Sequence, residues 1–163
     1  RNAAVHGLES PDERSRLGKP RKGTIGLDAR CEGGRIVVEI SDDGRGLDTA
    51  RIADRAVARG LVGEAEVARM TERDIQQLVF HAGLSTAETV TALSGRGVGM
   101  DVARTNIDGI GGLIDIHSTK GIGSVFRLEI PMTHTTRGSK CKAAGKRFTQ
   151  PEPGIVELAG AAG

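Results

Sequence analysis

Three short constellations in this chain hold residue types suited to binding polar ligands. The first is Asp42-Asp43-Gly44-Arg45-Gly46, directly after a β-branched run. A carboxylate at the end of a buried strand can accept a hydrogen bond from an exocyclic amine, and neighbouring glycines let the backbone approach a flat ring. By itself an Asp-Gly pair after a strand is more often only a turn. The second is Gly95-Arg96-Gly97-Val98-Gly99, directly before a helical pattern. Amides of a glycine-rich turn and a helix N-terminus form an anion site whose usual guest is a phosphate, and Arg96 adds a charge-assisted contact. A flexible loop with a helix cap is the plainer reading. The third is Asn2 with His6, four apart and so on one helix face. An amide oxygen suits Mg²⁺, a hard cation, and His6 could then hydrogen-bond a phosphate oxygen. Such a pair is more often ordinary helix surface.

The elements that must position these residues are legible in pattern. Positions 1–8 read as the C-terminal end of a helix, and Ser10-Pro11-Asp12-Glu13-Arg14 as a capped helix start. Gly18 to Gly23 reads as a basic turn. Thr24 to Arg30 alternates Ile25, Leu27 and Ala29 with polar or small residues, and Arg35 to Ile40 is β-branched; Gly33-Gly34 between them predicts a hairpin. A helix carrying Ile52, Ala53, Ala56 and Val57 on one face follows. A second is predicted from Thr71 to Phe80, with Ile75, Leu78 and Val79 inward, and a third from Met100 to Ile107. Leu113 to Ser118 and Ser124 to Ile130 read as another hairpin. After Thr133 periodicity fades into scattered basic and small residues, which reads as a disordered tail over 134–163.

Bulk properties narrow the classes. With 163 residues, 37% hydrophobic and 27% charged, the chain has room for one aliphatic-cored domain and little more; aromatics are only 2%. A net charge of +2 gives no general argument for nucleic acid or membrane binding. No apolar run approaches the roughly 20 residues of a membrane-spanning helix. Cys31 and Cys141 stand far apart with no metal-ligand spacing, so a reducing cytoplasm is the default. No Gly-Lys-Ser/Thr ends the glycine-rich run, which excludes a Walker A loop, and no βαβ unit with a ribose-binding acid follows it.

The order of the motifs is more specific than any one of them. An Asn/His helix, a strand ending in Asp-x-Gly-x-Gly and a Gly-Arg-Gly-x-Gly loop before a helix resemble the GHKL superfamily of ATPases and kinases. Within it, Phe80-His81-Ala82-Gly83-Leu84-Ser85-Thr86 is similar to the lid segment of CheA-type chemotaxis histidine kinases. Ser94-Gly95-Arg96-Gly97-Val98-Gly99-Met100-Asp101-Val102 is close to the signature of that family, and Ser10 to Arg14 and Gly18-Lys19-Pro20 echo its inserted segment. The resemblance runs over residues 1–133. The DNA- and protein-directed GHKL ATPases lack the lid segment joined to this signature.

The resemblance implies an α/β two-layer sandwich of the Bergerat type, with helices over one face of a mixed, mostly antiparallel sheet. It implies ATP and Mg²⁺ as ligands: Asn2 on the metal and His6 at the phosphates, the one residue assigned a catalytic place. Asp42 would take the adenine amine, with Gly44 and Gly46 lining the base pocket. Ser85 and Thr86 would lie in the lid, and Gly95, Arg96, Gly97, Val98 and Gly99 would wrap the triphosphate. Met100 would pack near the base, and Ser124 stands where the family usually has Thr behind adenine. The implied reaction moves the γ-phosphoryl group to a histidine on a separate domain, for relay to a response regulator. The implied partners are that phosphoacceptor domain, a CheW-like coupling protein, chemoreceptors and response regulators, in a homodimeric kinase in the cytoplasm at membrane-associated receptor arrays. Nucleic acid and direct membrane insertion are not implied. None of His6, His81, His117 and His134 has the setting of the phosphoacceptor, so the chain alone is expected not to autophosphorylate.

Departures from the family pattern favour an alternative, a non-catalytic remnant that binds nucleotide weakly or only contacts partners. Val5 replaces the Asp that normally precedes the family histidine, and Ala82 and Leu84 replace Pro and Phe, which is expected to loosen the lid. The chain reads as starting inside the Asn-bearing helix, without the first strand and an upstream histidine. The stretch after Thr133 reads unlike the β-rich coupling domain that usually follows.

Overall fold

A computed structural model of the chain describes residues 3–82, 84, 99–132, 146–149 and 157–159. The expected helix end is a π-helical turn, Ala3–Gly7, closed by a 3.0 Å bond from the Leu8 N–H to the Ala3 carbonyl. Helix α1 (Pro11–Arg16) opens on Ser10, whose hydroxyl accepts from the Glu13 N–H. Strands β1 (Thr24–Glu32) and β2 (Arg35–Asp42) form the predicted hairpin, with Gly33 and Gly34 at φ of 56° and 76°. Both residues of that turn need positive φ to match the twist of the strands. Helix α2 (Thr49–Ala58) is capped by Asp48 and buries Ile52, Ala53 and Ala56, the face read from the sequence. A single turn, α3 (Glu64–Val67), has no counterpart in that reading. Helix α4 (Glu72–Gln77) starts at a reciprocal cap between Thr71 and Asp74 and tightens into a 3₁₀ turn at Leu78–Phe80. Helix α5 (Met100–Gly109) precedes the second predicted hairpin, β3 (Leu113–Thr119) with β4 (Gly123–Pro131).

Two short segments beyond Thr133 are described. Strands β5 (Lys146–Thr149) and β6 (Glu157–Ala159) extend the sheet beside β1, giving the order β3-β4-β2-β1-β5-β6 among the described residues. Strands of four and three residues are too short to show alternation, whereas the open edge of β1 supplies a ladder for them. Every described pairing is antiparallel.

Register and alternation give the sheet two unlike faces. Ile36, Val38, Ile40 and Asp42 of β2 lie opposite Ile130, Leu128, Phe126 and Ser124 of β4, forming an aliphatic face that ends in polar groups. The other face carries Arg30, Glu39 and Arg127, with both arginines 2.9 Å from the same Glu39 oxygen. Helix packing is concentrated at the β3 end. Ile52, Ala56, Leu78 and Leu84 form a buried cluster against Leu47, Val62, Met70, Ile75 and Val79. Leu84, one of the two departures in the lid segment, is 3% exposed and belongs to this cluster.

Edge strand β3 is closed by a side chain. The Gln76 amide donates to the Ser118 carbonyl at 2.7 Å and accepts from the Ser118 N–H at 3.0 Å, standing in for a missing strand. Nearby, Arg73 and Gln77 both reach the Asp115 carboxylate. Gln76 is 5% exposed, so its loss leaves buried backbone groups unpaired. Gln76→Leu is therefore expected to cost about 1–3 kcal/mol in urea unfolding. Arg73→Ala removes only a surface pair, and is expected to cost under about 1 kcal/mol.

Candidate functional site

Strand alternation decides which carboxylate of the Asp42-Asp43 pair faces the helix side. Asp42 closes the aliphatic row of β2 and lies beside Ser124 in the register, whereas the Asp43 carboxylate is taken up by Arg14 and the Thr24 N–H. The Asp42 carboxylate accepts from the Gly44 N–H at 3.0 Å and from the Ser124 backbone N–H. Burial pushes its pKa above the ordinary 3.8; the two backbone donors pull it down, while the charges of Asp43 and Glu9 push it up again. The result is a half-buried acceptor with a raised pKa. Asp42 and Ser124 line one open cleft of about 490 Å³ with Gln76, Ser118, Thr119 and Gly123.

Ser124 is 7% exposed, and its hydroxyl lies 3.0 Å from that of Ser118. Ser118 also accepts from the Leu47 N–H at 2.8 Å and donates to the Gly123 carbonyl at 3.0 Å. This second serine ties the segment after Gly46 to the cleft wall. Sequence reading passed it over, because a Ser in a polar–apolar alternation looks like ordinary strand surface.

The glycines of the motif serve backbone contact. A side chain on Gly44 would overlap the Gly7 carbonyl, and one on Gly46, at φ 64°, would overlap the Thr119 carbonyl. The Gly7 carbonyl also accepts from the Arg45 N–H at 2.9 Å. A Cβ at Gly7 would stand 3.5 Å from the Asp42 carboxylate. The turn bearing His6 is thereby seated directly on the turn bearing Asp42. His6 itself is exposed, and so is Val5.

A buried charge cluster fixes this junction. Arg14, 1% exposed, donates to the Pro20 carbonyl at 2.6 Å, to Glu9 at 3.0 Å, and to the Asp43 carbonyl and carboxylate at 3.1 and 2.9 Å. Lys19 donates to Glu9 at 2.8 Å, to the Asp43 carbonyl at 3.0 Å and to the Gly44 carbonyl at 2.7 Å. The second Asp43 oxygen accepts from the Thr24 N–H at 2.8 Å. Burial pushes the Glu9 carboxyl up, but the Lys19 hydrogen bond, its own backbone and the two cations outweigh that and hold it below its usual value. In sequence these residues look like a short helix start and a basic turn. The signal that singles them out is Arg14 and Lys19 inside the two echoes of the family's inserted segment.

On the phosphate side, Gly99 is the N-cap of α5, as expected for a glycine-rich loop that opens a helix, and Met100 is half-buried at the first position. The carboxylate of Asp101 folds back over Gly99. The ring of Phe80 lies 5.6 Å from the Arg104 guanidinium, joining α5 to the 3₁₀ turn. Asn2, Ser85, Thr86, Gly95, Arg96, Gly97 and Val98 lie outside the described residues. Among the described residues no cluster of three or more His, Cys, Asp or Glu could hold a metal, and no helix is long and apolar enough to cross a membrane.

The family model described as "Histidine kinase-, DNA gyrase B-, and HSP90-like ATPase" matches residues 1–134. The chain is 44% identical over 133 residues to the sensor histidine kinase CheAY of Helicobacter pylori, covering 82% of this chain and 17% of that protein. It is 40% identical over 158 residues to the chemotaxis protein CheA of Rhizobium meliloti, covering 96% of this chain and 21% of that protein. A histidine kinase domain from Erythrobacter litoralis EL346 overlays with a TM-score of 0.42 at 16% identity, covering 81% of this chain and 41% of that one. The chain thus spans about a fifth of the length of these two sequence relatives. With a family match over most of its length, and relatives named CheA at 40% identity and more, the chain belongs to the histidine kinase-, DNA gyrase B- and HSP90-like ATPase family and is an ATP-binding domain of the CheA type.

Proposed function

We propose that this chain is the ATP-binding catalytic part of a chemotaxis kinase that moves the γ-phosphoryl group of ATP to a histidine on a separate domain. One observation carries the base-binding half of this reading. Asp42 presents a half-buried carboxylate in the cleft, pre-oriented by two backbone donors, beside the buried Ser124. An ionised carboxylate has only acceptor sites, so it selects an exocyclic amine over a carbonyl at the same place. Glycines at 44 and 46 bring backbone, not side chains, to that wall.

The phosphate end rests on sequence and family. Asn2 would hold Mg²⁺, which supplies charge neutralisation at the phosphates, and His6 would donate to a phosphate oxygen. Gly95, Arg96, Gly97, Val98 and Gly99 would wrap the triphosphate under a lid carrying Ser85 and Thr86, with Met100 near the base. In the transfer the bond from the γ-phosphorus to its bridging oxygen breaks, ADP leaves, and a bond forms to the imidazole nitrogen of the acceptor. Positioning and charge neutralisation would supply most of the acceleration. The phosphoryl group would then pass to a response regulator, within a homodimeric kinase coupled to chemoreceptors through a CheW-like protein.

Titration calorimetry of the chain with Mg-ATP is expected to show saturable binding, weakened roughly 10- to 100-fold in Asp42→Asn, the span for losing a hydrogen bond to a charged group. A folded chain that binds no ATP would make it a non-catalytic remnant. Asp42 also predicts a pH signature. The folded chain holds the Asp42 proton more tightly than the unfolded chain, so ionising this group costs stability. Relative to Asp42→Asn, the wild-type chain is expected to lose stability as pH rises from 3.8 through the raised folded value, and to stay lower above it. Urea unfolding of both proteins across pH 4 to 7 measures that difference. A gap that is constant with pH would remove the raised titration.

A further inference from the structure

We propose that Lys19 and Arg14 are positioning residues for base selectivity, acting on Asp42 through the single peptide unit that joins Asp43 to Gly44; this rests on the reading of Asp42 as the adenine acceptor. The two ends of that unit face different neighbours. Its carbonyl oxygen, on Asp43, accepts from Lys19 at 3.0 Å and from Arg14 at 3.1 Å. Its N–H, on Gly44, donates to the Asp42 carboxylate at 3.0 Å. A peptide unit is planar, so fixing the oxygen fixes the direction of the N–H. Two cations on the oxygen also polarise the unit and strengthen the N–H as a donor.

Neighbouring contacts leave the plane no other orientation. Lys19 holds the next carbonyl, that of Gly44, at 2.7 Å. Arg14 and the Thr24 N–H hold the Asp43 side chain at 2.9 and 2.8 Å. On the opposite side Gly44 packs against the Gly7 carbonyl. Glu9 bonds both cations, at 3.0 and 2.8 Å, and sets their separation. Only the Asp42 carboxylate, at the far end of this chain of contacts, lines the cleft. Lys19 and Arg14 are not lining residues of that cleft. Their effect on a ligand therefore has to pass through the peptide unit.

This predicts a selectivity change that general loosening does not produce. ATP and ITP share ribose and triphosphate and differ at the 6-position of the base, an amine in one and a carbonyl in the other. The test is calorimetric titration of the chain with Mg-ATP and Mg-ITP, comparing wild type, Lys19→Met, Arg14→Lys, Arg14→Met and Asp42→Asn. Wild type is expected to prefer ATP by about tenfold or more. Lys19→Met should bring the two affinities within about threefold, as Asp42→Asn does, while Arg14→Lys keeps part of the preference by retaining a cation. Lys19 is partly solvent-exposed, so Lys19→Met carries the test even where Arg14→Met does not fold. Equal weakening of ATP and ITP in Lys19→Met, with their ratio intact, would reduce the cluster to a structural role and overturn the proposal. A wild-type chain that binds neither nucleotide, or does not distinguish them, would instead overturn the reading of Asp42 itself.

Discussion

A guanidinium removed from water dictates how the first half of this chain folds. Arg14 cannot shed its charge, and at 1% exposure its donors have no solvent to turn to. Glu9, Asp43 and the Pro20 carbonyl supply the partners, and they come from three separate stretches of chain. Two carboxylates around one guanidinium would leave excess negative charge, and Lys19 offsets it at 2.8 Å from Glu9. Such a balanced buried cluster contributes little net stability compared with apolar packing, yet losing one member costs about 3–5 kcal/mol. Against a total stability of about 5–15 kcal/mol, that asymmetry makes the geometry non-negotiable. The loop 17–23 folds back over the Asp42 turn because the charges require it.

The sheet imposes a second constraint, through register. With Ile36, Val38 and Ile40 on one face and Val37 and Glu39 on the other, a slip of one residue would turn the aliphatic row outward and bury Glu39 without its arginines. Glu39 is held below its usual pKa, first by the hydrogen bond from Arg30 despite opposing desolvation, with Arg127 adding to it. Charge on one face and hydrocarbon on the other thus select the same register. That register is what delivers Asp42, rather than Asp43, to the cleft. At the opposite edge, Gln76 ends the ladder on β3 with a side-chain amide and keeps α4 beside the cleft.

Much of this was legible in the residues. Gly33-Gly34 between alternating runs marks a hairpin, and Ser10 and Thr71 cap the helices they precede. Those signals are local, set by dihedral preference and by hydrogen bonds three residues apart. What was not legible depends on contacts distant in sequence. Arg14 meets Asp43 across 29 positions and Gln76 meets Ser118 across 42, and neither pairing leaves a periodic trace. The β5 and β6 segments are similar: their ladder partner, not their composition, makes them strands. The burial of Leu84 is of the same kind, because its neighbours Ile52 and Ala56 lie about 30 positions earlier in the chain.

The candidate site also shows how a carboxylate can be kept both ionisable and expensive to ionise. Burial and two neighbouring acids push the Asp42 pKa upward, and the N–H groups of Gly44 and Ser124 oppose them. Water would relieve this cost if the turn could swing outward, but the turn is pinned. Gly7 sits over the carboxylate with no side chain, Gly44 touches the Gly7 carbonyl, and Lys19 holds the Gly44 carbonyl. An acceptor that cannot relax toward solvent keeps its unmet hydrogen-bonding capacity facing the cleft. A ligand amine arriving there meets an orientation already fixed during folding, so little ordering is left to oppose binding. The same pins tie Gly7, the neighbour of His6, to the Asp42 turn through direct backbone contact. On the proposed reading, the base end and the phosphate end of the nucleotide would therefore be set by one rigid junction, and the charge cluster behind it would act on both.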